Sequence, residues 1–316
     1  MKIKILILIV SICVIALYFI PAPQPSFESI YTKEDEISES LKKFENLPTK
    51  AIEFNDKKWN YLVGGEGEKT IFFAHGMGGS YYMWWQQFYA LEKDFKIITY
   101  ELPKGVSTLE EASQGILAIL DKEKIDKFSI VGSSMGGFIA QYVVNKTPER
   151  IEKAVFSNTF SPGNDIKKRN SWRSFLVPYL PEVVIYYLRN HNFKKGMAAT
   201  SSTPKLIEAY LCSVPFNKKR FMERFKIVTD EFDVEINKSA VDAIPILIFE
   251  CDNDPLVSSG LRKKIKETYP NSEVYSFGNE GHIPSVSKAD EYNKVLRAFL
   301  EKDGEEIVSS EIENQD

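Results

Sequence analysis

Cysteine and histidine are both scarce in this chain, with three of each in 316 residues. Cys13 falls in an apolar run, which leaves Cys212 and Cys251 for the body, too few for a disulfide framework. No grouping of His, Cys and Asp has zinc-like spacing, no phosphate loop of the GxxxxGK(S/T) form occurs, and no stripe of alternating basic and aromatic residues suggests nucleic acid. Nor does any internal repeat of about 20 to 50 residues appear. The sequence therefore predicts no cofactor, no metal site and no nucleic-acid partner. With so few histidines, any imidazole chemistry must fall on His75, His191 or His282.

What is present suits a globular enzyme. Hydrophobic residues make up 43% and charged residues 27% of the chain, enough to bury a substantial core in one main domain. Apolar strand-like runs near 70–74, 96–100, 127–131, 152–157, 245–250 and 273–277 alternate with helix-like stretches near 108–122, 137–146, 260–268 and 289–301. This alternation predicts a mostly parallel sheet covered on both faces. The helix of 137–146 should stop before Thr147-Pro148, because the residue before a proline avoids the α region.

The pentad Gly132-Ser133-Ser134-Met135-Gly136 follows the run Phe128 to Val131 and precedes the helix-like Phe138 to Val144. Small residues two positions either side of Ser134 allow a tight strand-to-helix turn that holds the hydroxyl clear of the sheet edge. Upstream, Thr70-Ile71-Phe72-Phe73-Ala74 runs into His75-Gly76-Met77-Gly78-Gly79, a glycine-rich turn able to point backbone N–H groups at one spot. Downstream, Pro245 to Phe249 ends in Cys251-Asp252-Asn253-Asp254-Pro255-Leu256-Val257, which places carboxylates at a strand's carboxyl end. Val274 to Phe277 then leads to Gly281-His282. These four segments, with the order Ser, Asp, His, resemble the α/β-hydrolase superfamily over roughly residues 50 to 300.

The resemblance implies Ser134 as nucleophile and His282 as general base. It implies Asp254 as the acid, being the carboxylate just before Pro-Leu-Val, with Asp252 as a competing candidate that could instead be a cap or a neighbouring acceptor. The backbone N–H groups of Met77 and Met135 are implied as the oxyanion hole. His75 reads as a loop-ordering residue, and His191, among Arg189, Asn190 and Asn192, as a solvated one. The implied activity is hydrolysis of a small-molecule carboxylic ester, of a lipid or other apolar acyl group, through an acyl-enzyme. Amide, thioester and carbon–carbon bond cleavage share the same triad. An aspartate nucleophile, which an epoxide hydrolase or dehalogenase needs, is missing from position 134.

A more local resemblance, carried by GSSMGGFIAQ and Ser157-Asn158-Thr159-Phe160-Ser161, is to the maspardin family of α/β-hydrolase-like interaction proteins. That family lacks a complete triad, whereas Asp254 and His282 stand here where acid and base belong. The alternative it implies is a binding module on a hydrolase scaffold. Residues 161 to about 240 interrupt the strand–helix alternation and read as a cap within a hydrolase domain of residues 51–301. Between Ser161 and Lys226 stand thirteen Lys and Arg against four Asp and Glu, in a chain of net charge −4. A basic lid of this kind could face anionic headgroups or anionic substrates, or simply be solvated.

From Ile3 to Ile20 the only departures from apolarity are Lys4, Ser11, Cys13 and Tyr18. The length is close to the ~20 residues that span a bilayer. The expectation is an uncleaved transmembrane signal-anchor, with the amino terminus cytoplasmic and the hydrolase body on the other side of the membrane. The alternative is a cleaved signal peptide and secretion. Residues 21–50 read as a proline-led, charged linker, and residues 302–316 as a frayed acidic tail.

Overall fold

The computed structural model describes residues 2–232 and 238–302, so the expected acidic tail lies, from residue 303 on, outside the described residues. Eight strands form one sheet: β1 (Lys50–Phe54), β2 (Lys57–Gly64), β3 (Thr70–Ala74), β4 (Lys96–Glu101), β5 (Phe128–Ser133), β6 (Ile151–Ser157), β7 (Ile246–Glu250) and β8 (Glu273–Ser276). Their spatial order is β1-β2-β4-β3-β5-β6-β7-β8. The pairs β1–β2 and β2–β4 are antiparallel, and every pairing beyond β4 is parallel. This is the α/β-hydrolase fold.

The parallel strands are apolar at successive positions because both sheet faces are covered. Side chains alternate between faces: Ile71, Phe73, Ile97, Val131 and Phe249 join one buried cluster, while Phe72, Ile98, Ile130, Phe156 and Ile248 join the other. The first face is closed by helices Trp85–Leu91 and Ala289–Glu301, the second by Leu109–Lys122, Met135–Lys146 and Ser259–Thr268. The hairpin β1–β2 is less legible in the sequence because β1 has no buried residue and carries Lys50 and Glu53 among its apolar positions. Its two-residue turn, Asn55-Asp56, has φ of 49° and 56°, the left-handed pair that a tight hairpin requires.

Residues 21–50, read as a linker, hold helices Phe27–Ile30 and Glu36–Glu45, and Phe27, Tyr31, Leu41 and Phe44 are buried in the core. Between β6 and β7 the chain departs into helices Asp165–Leu176, Glu182–Asn192, Pro204–Ser213 and Lys218–Val228, with a π-helical stretch at Phe193–Ala198.

The apolar amino-terminal run corrects the expected transmembrane signal-anchor. It forms a helix over Lys2–Ala16 only, 15 residues, then tightens to a 3-10 turn over Leu17–Phe19. At about 1.5 Å per residue such a helix reaches about 22 Å, short of the roughly 30 Å hydrocarbon core of a bilayer. Among the described residues no helix is long and apolar enough to cross a membrane. The placement of the hydrolase body across a membrane from its amino terminus falls with the anchor. Residues 18–24, just past the helix, pack on the protein itself: the Tyr18 hydroxyl donates to the Tyr179 carbonyl, Ala22 is buried with Ile185, Tyr186 and Phe216, and Gln24 bonds both the N–H and the carbonyl of Phe216.

Candidate active site

Ser134 stands at the turn between β5 and helix Met135–Lys146, with φ 55° and ψ −118°. A non-glycine residue in such a conformation costs on the order of 1–3 kcal/mol and persists only where its surroundings enforce it. Here the Ser134 N–H donates to the Ser157 carbonyl at 2.9 Å, and Thr159 Oγ1 donates to the Ser134 carbonyl at 2.7 Å. The flanking glycines are required by contact. A Cβ on Gly132 would lie 2.2 Å from the Gly136 carbonyl oxygen, and one on Gly136 would lie 2.1 Å from that of Ala74.

His282 follows β8 on a loop, and Asp254 follows β7. His282 Nδ1 lies 2.8 Å from Asp254 Oδ2 and 3.0 Å from Oδ1. Both side chains are buried. Asp254 is further held by the N–H groups of Leu256 (2.8 Å) and Val257 (3.0 Å) on Oδ1 and by Asn158 Nδ2 (3.0 Å) on Oδ2. Burial pushes the carboxyl up, but the His282 ring and these donors more than offset it and hold the group below its ordinary value. An ionised Asp254 accepts from Nδ1–H, which leaves Nε2 as the free lone pair. That nitrogen is buried and has no hydrogen-bond partner among the described residues.

Ser134 and His282 line one cavity with Met77, Met197, Leu211 and Leu256, about 70 Å³ in volume and partly open to solvent. The Gly76–Gly79 turn forms another wall. Met135 opens the helix after the elbow, so its N–H is among the first-turn amides that lack an intrahelical acceptor. Asp252 is exposed and meets Ser276 rather than His282. His191 is exposed on the insertion. His75 is fully buried, with Nδ1 against the Gly76 carbonyl at 2.8 Å and Nε2 accepting from the Leu102 N–H at 3.2 Å. Burial first, and then the Arg224 charge, lower its pKa to about 4, so it is a neutral brace between the turn and the end of β4.

Three residues of this surround are not singled out by sequence reasoning. Asn158 bonds Asp254 and, at 3.3 Å, the Gly281 carbonyl, so it ties the acid loop to the histidine loop. Its only sequence signal is the Ser-Asn-Thr run after β6. Arg224, from the insertion helix Lys218–Val228, donates to the carbonyls of Met77 (2.9 Å) and Gly79 (2.7 Å) and to Glu101 Oε1 (2.8 Å). Burial pushes Glu101 up, and the Arg224 guanidinium leads the groups that more than offset it, so the carboxyl stays ionised. The pair ties the glycine-rich turn to the insertion. The basic surplus of residues 161–226 is the only hint of Arg224 in the sequence.

Among known protein families, the one described as alpha/beta hydrolase fold matches residues 69–206. The chain is 24% identical over 261 residues to the dihydrolipoyllysine-residue acetyltransferase component of an acetoin cleaving system from Pseudomonas putida, covering 78% of this chain and 66% of that protein. It is 25% identical to maspardin from Danio rerio over 80% of this chain and 83% of maspardin, a distant homologue. It is 24% identical to a pimeloyl-(acyl-carrier protein) methyl ester esterase from Vibrio atlanticus, over 76% of this chain and 97% of the esterase. Among solved structures, a hydrolase from Pseudomonas aeruginosa superposes with a TM-score of 0.67 at 18% identity, covering 80% of this chain and 98% of that one.

Proposed function

Starting from a chain that belongs to the α/β-hydrolase superfamily, we propose that this protein is a serine hydrolase that cleaves a carboxylic ester of an apolar acyl group. One observation carries the reading: a buried His282–Asp254 pair presents an unpartnered Nε2 to the same cavity that receives the strained Ser134. A strained elbow with no chemistry to perform would be a standing cost to stability. The likeness to a methyl ester esterase supports ester over other acyl bonds. The methionine, leucine and phenylalanine walls of the cavity favour an apolar chain.

In this mechanism His282 Nε2 takes the Ser134 proton as Oγ bonds to the acyl carbon, and Asp254 stabilises the imidazolium through Nδ1–H. The backbone N–H groups of Met77 and Met135 receive the oxyanion; loss of one such donor commonly costs about a hundredfold or more in rate. The tetrahedral adduct collapses as Nε2–H protonates the departing alcohol. Water then attacks the acyl-enzyme with its proton passing to Nε2, and the acid leaves as Ser134 regains a proton.

A fluorophosphonate probe tests this directly. Wild type is expected to be labelled, while Ser134→Ala and His282→Ala stay folded and unlabelled. A folded wild type that takes no label would overturn the reading in favour of a binding module on a hydrolase scaffold.

A further inference from the structure

Beside the Ser134 cavity lies a second, narrow cleft that opens to solvent and has about 20 Å³ of room inside it, and the two share Met77, Gly78 and Phe193 in their walls. Three guanidiniums line it: Arg189, Arg220 and Arg224. The carboxylate that meets them is Glu101, whose Oε1 accepts from both Arg220 and Arg224 at 2.8 Å. That leaves Arg189. It is 8% exposed and its Nε donates to Asn190 Oδ1, while its Nη2 is buried and has no partner among the described residues. Arg224, 3% exposed, likewise keeps an unpartnered Nε.

Rings cage the Arg189 head: Phe216 at 4.6 Å, Phe193 at 5.3 Å and Tyr186 at 5.6 Å. Cation–π contact of this kind returns less than an unpaired buried charge loses in leaving water. Burial lowers the Arg189 pKa to about 10, which still leaves the group charged near neutral pH. A caged, charged arginine with no acid among the described residues, lining a cleft that adjoins the Ser134 cavity, is a site waiting for an anion. The planar fork of a guanidinium fits the two oxygens of a carboxylate.

We propose that this cleft is a carboxylate-binding subsite, and that the favoured substrate is an ester with an apolar chain ending in a carboxylate held by Arg189, with Arg224 beside it. The proposal builds on the serine hydrolase reading. It gives the insertion's basic surplus a role inside the protein: positioning a charged substrate end while the ester sits at Ser134.

Two series of esters test it on the full chain. One consists of monomethyl esters of linear dicarboxylic acids, succinic through suberic, against methyl esters of the matching monocarboxylic acids. The other consists of acetate esters of ω-hydroxy acids against acetates of the matching alcohols, which moves the charge to the alcohol half. In at least one series the anionic member is expected to have the larger kcat/KM, by about tenfold or more, since a charge-assisted bond is worth about 1.5–3 kcal/mol. Arg189→Met should lower that ratio towards one, and Arg189→Lys should restore part of it. The pH profile of the ratio should follow ionisation of the substrate carboxylate.

Equal rates for charged and neutral members in both series, or a preference that survives Arg189→Met, would overturn the proposal while leaving the serine hydrolase reading intact. Binding of adipate to Ser134→Ala, measured calorimetrically with and without Arg189→Met, separates the remaining cases. Arginine-dependent binding by a protein that turns over nothing would uphold the subsite and sink the hydrolase reading, and absence of both binding and turnover would sink both.

Discussion

His75 leads into the glycine-rich turn with both ring nitrogens engaged by the backbone, which is why it braces that turn. Its burial also makes it a pH-dependent contributor to stability. In the unfolded chain it titrates near 6.5, whereas in the fold its pKa is about 4. Below 6.5 the unfolded state takes up a proton that the fold refuses, so stability is complete above 6.5 and is lost as pH falls towards 4. The loss is on the order of 3 kcal/mol. Urea unfolding midpoints should decline across that window, and His75→Gln should flatten the decline; a profile that keeps its slope in the variant would refute the assignment. The same residue-level logic separates the two aspartates. Asp252 and Asp254 differ by two positions in sequence, and the chain's turn after β7 sends one to solvent and the other against His282.

The informative element is helix Lys218–Val228, because through Arg224 it holds the carbonyls of Met77 and Gly79 and thus orients the peptide groups of the glycine-rich turn. The helix begins with an Asn217 side chain accepting from the Arg220 N–H and buries Ile227 in the core, so it is anchored at both ends. Arg224→Met should remove the donor of both carbonyls while Glu101 keeps Arg220 and Ser80 as partners, so it should cost about 1–3 kcal/mol. Ester turnover should fall with it, kcat being reduced more than KM is raised, because the turn has lost its restraint, and Arg224→Lys should recover part of kcat. An unchanged kcat in a destabilised Arg224→Met would show that Arg224 serves stability alone. The strands around the site are readable from their apolar runs, and the elbow from its glycines. This helix is not, since its charged residues look like those of any solvated surface helix until Arg224 is seen to face inward.

At the scale of the whole molecule, the amino-terminal segment divides into two parts. Helix Lys2–Ala16 exposes its apolar side chains, whereas residues 18–24 dock on the insertion through Tyr18, Ala22 and Gln24. Deleting residues 1–16 should therefore leave the melting temperature of the body unchanged, while deletion through Pro25 should lower it by removing the Phe216 contacts. Equal melting temperatures for the two truncations would show that the docked segment adds nothing. The insertion carries its charge in an equally uneven way: Arg189 and Arg224 are buried at the clefts, while His191 on the same insertion is exposed.

By itself the sequence determined the alternation of strand and helix, the two-faced burial of the sheet and the turn that raises Ser134. Each of these is set by residues adjacent along the chain, where periodicity and glycine act directly. Only tertiary structure decided which aspartate meets His282, that Asn158 bridges their loops, that Arg224 restrains the turn and that Arg189 has no acid among the described residues. Those depend on groups far apart in sequence being brought within hydrogen-bond reach, and no local pattern encodes which of many similar charges will be turned inward. The apolar amino terminus shows the same limit: its composition allowed a membrane span, and the length over which the helix holds excluded one.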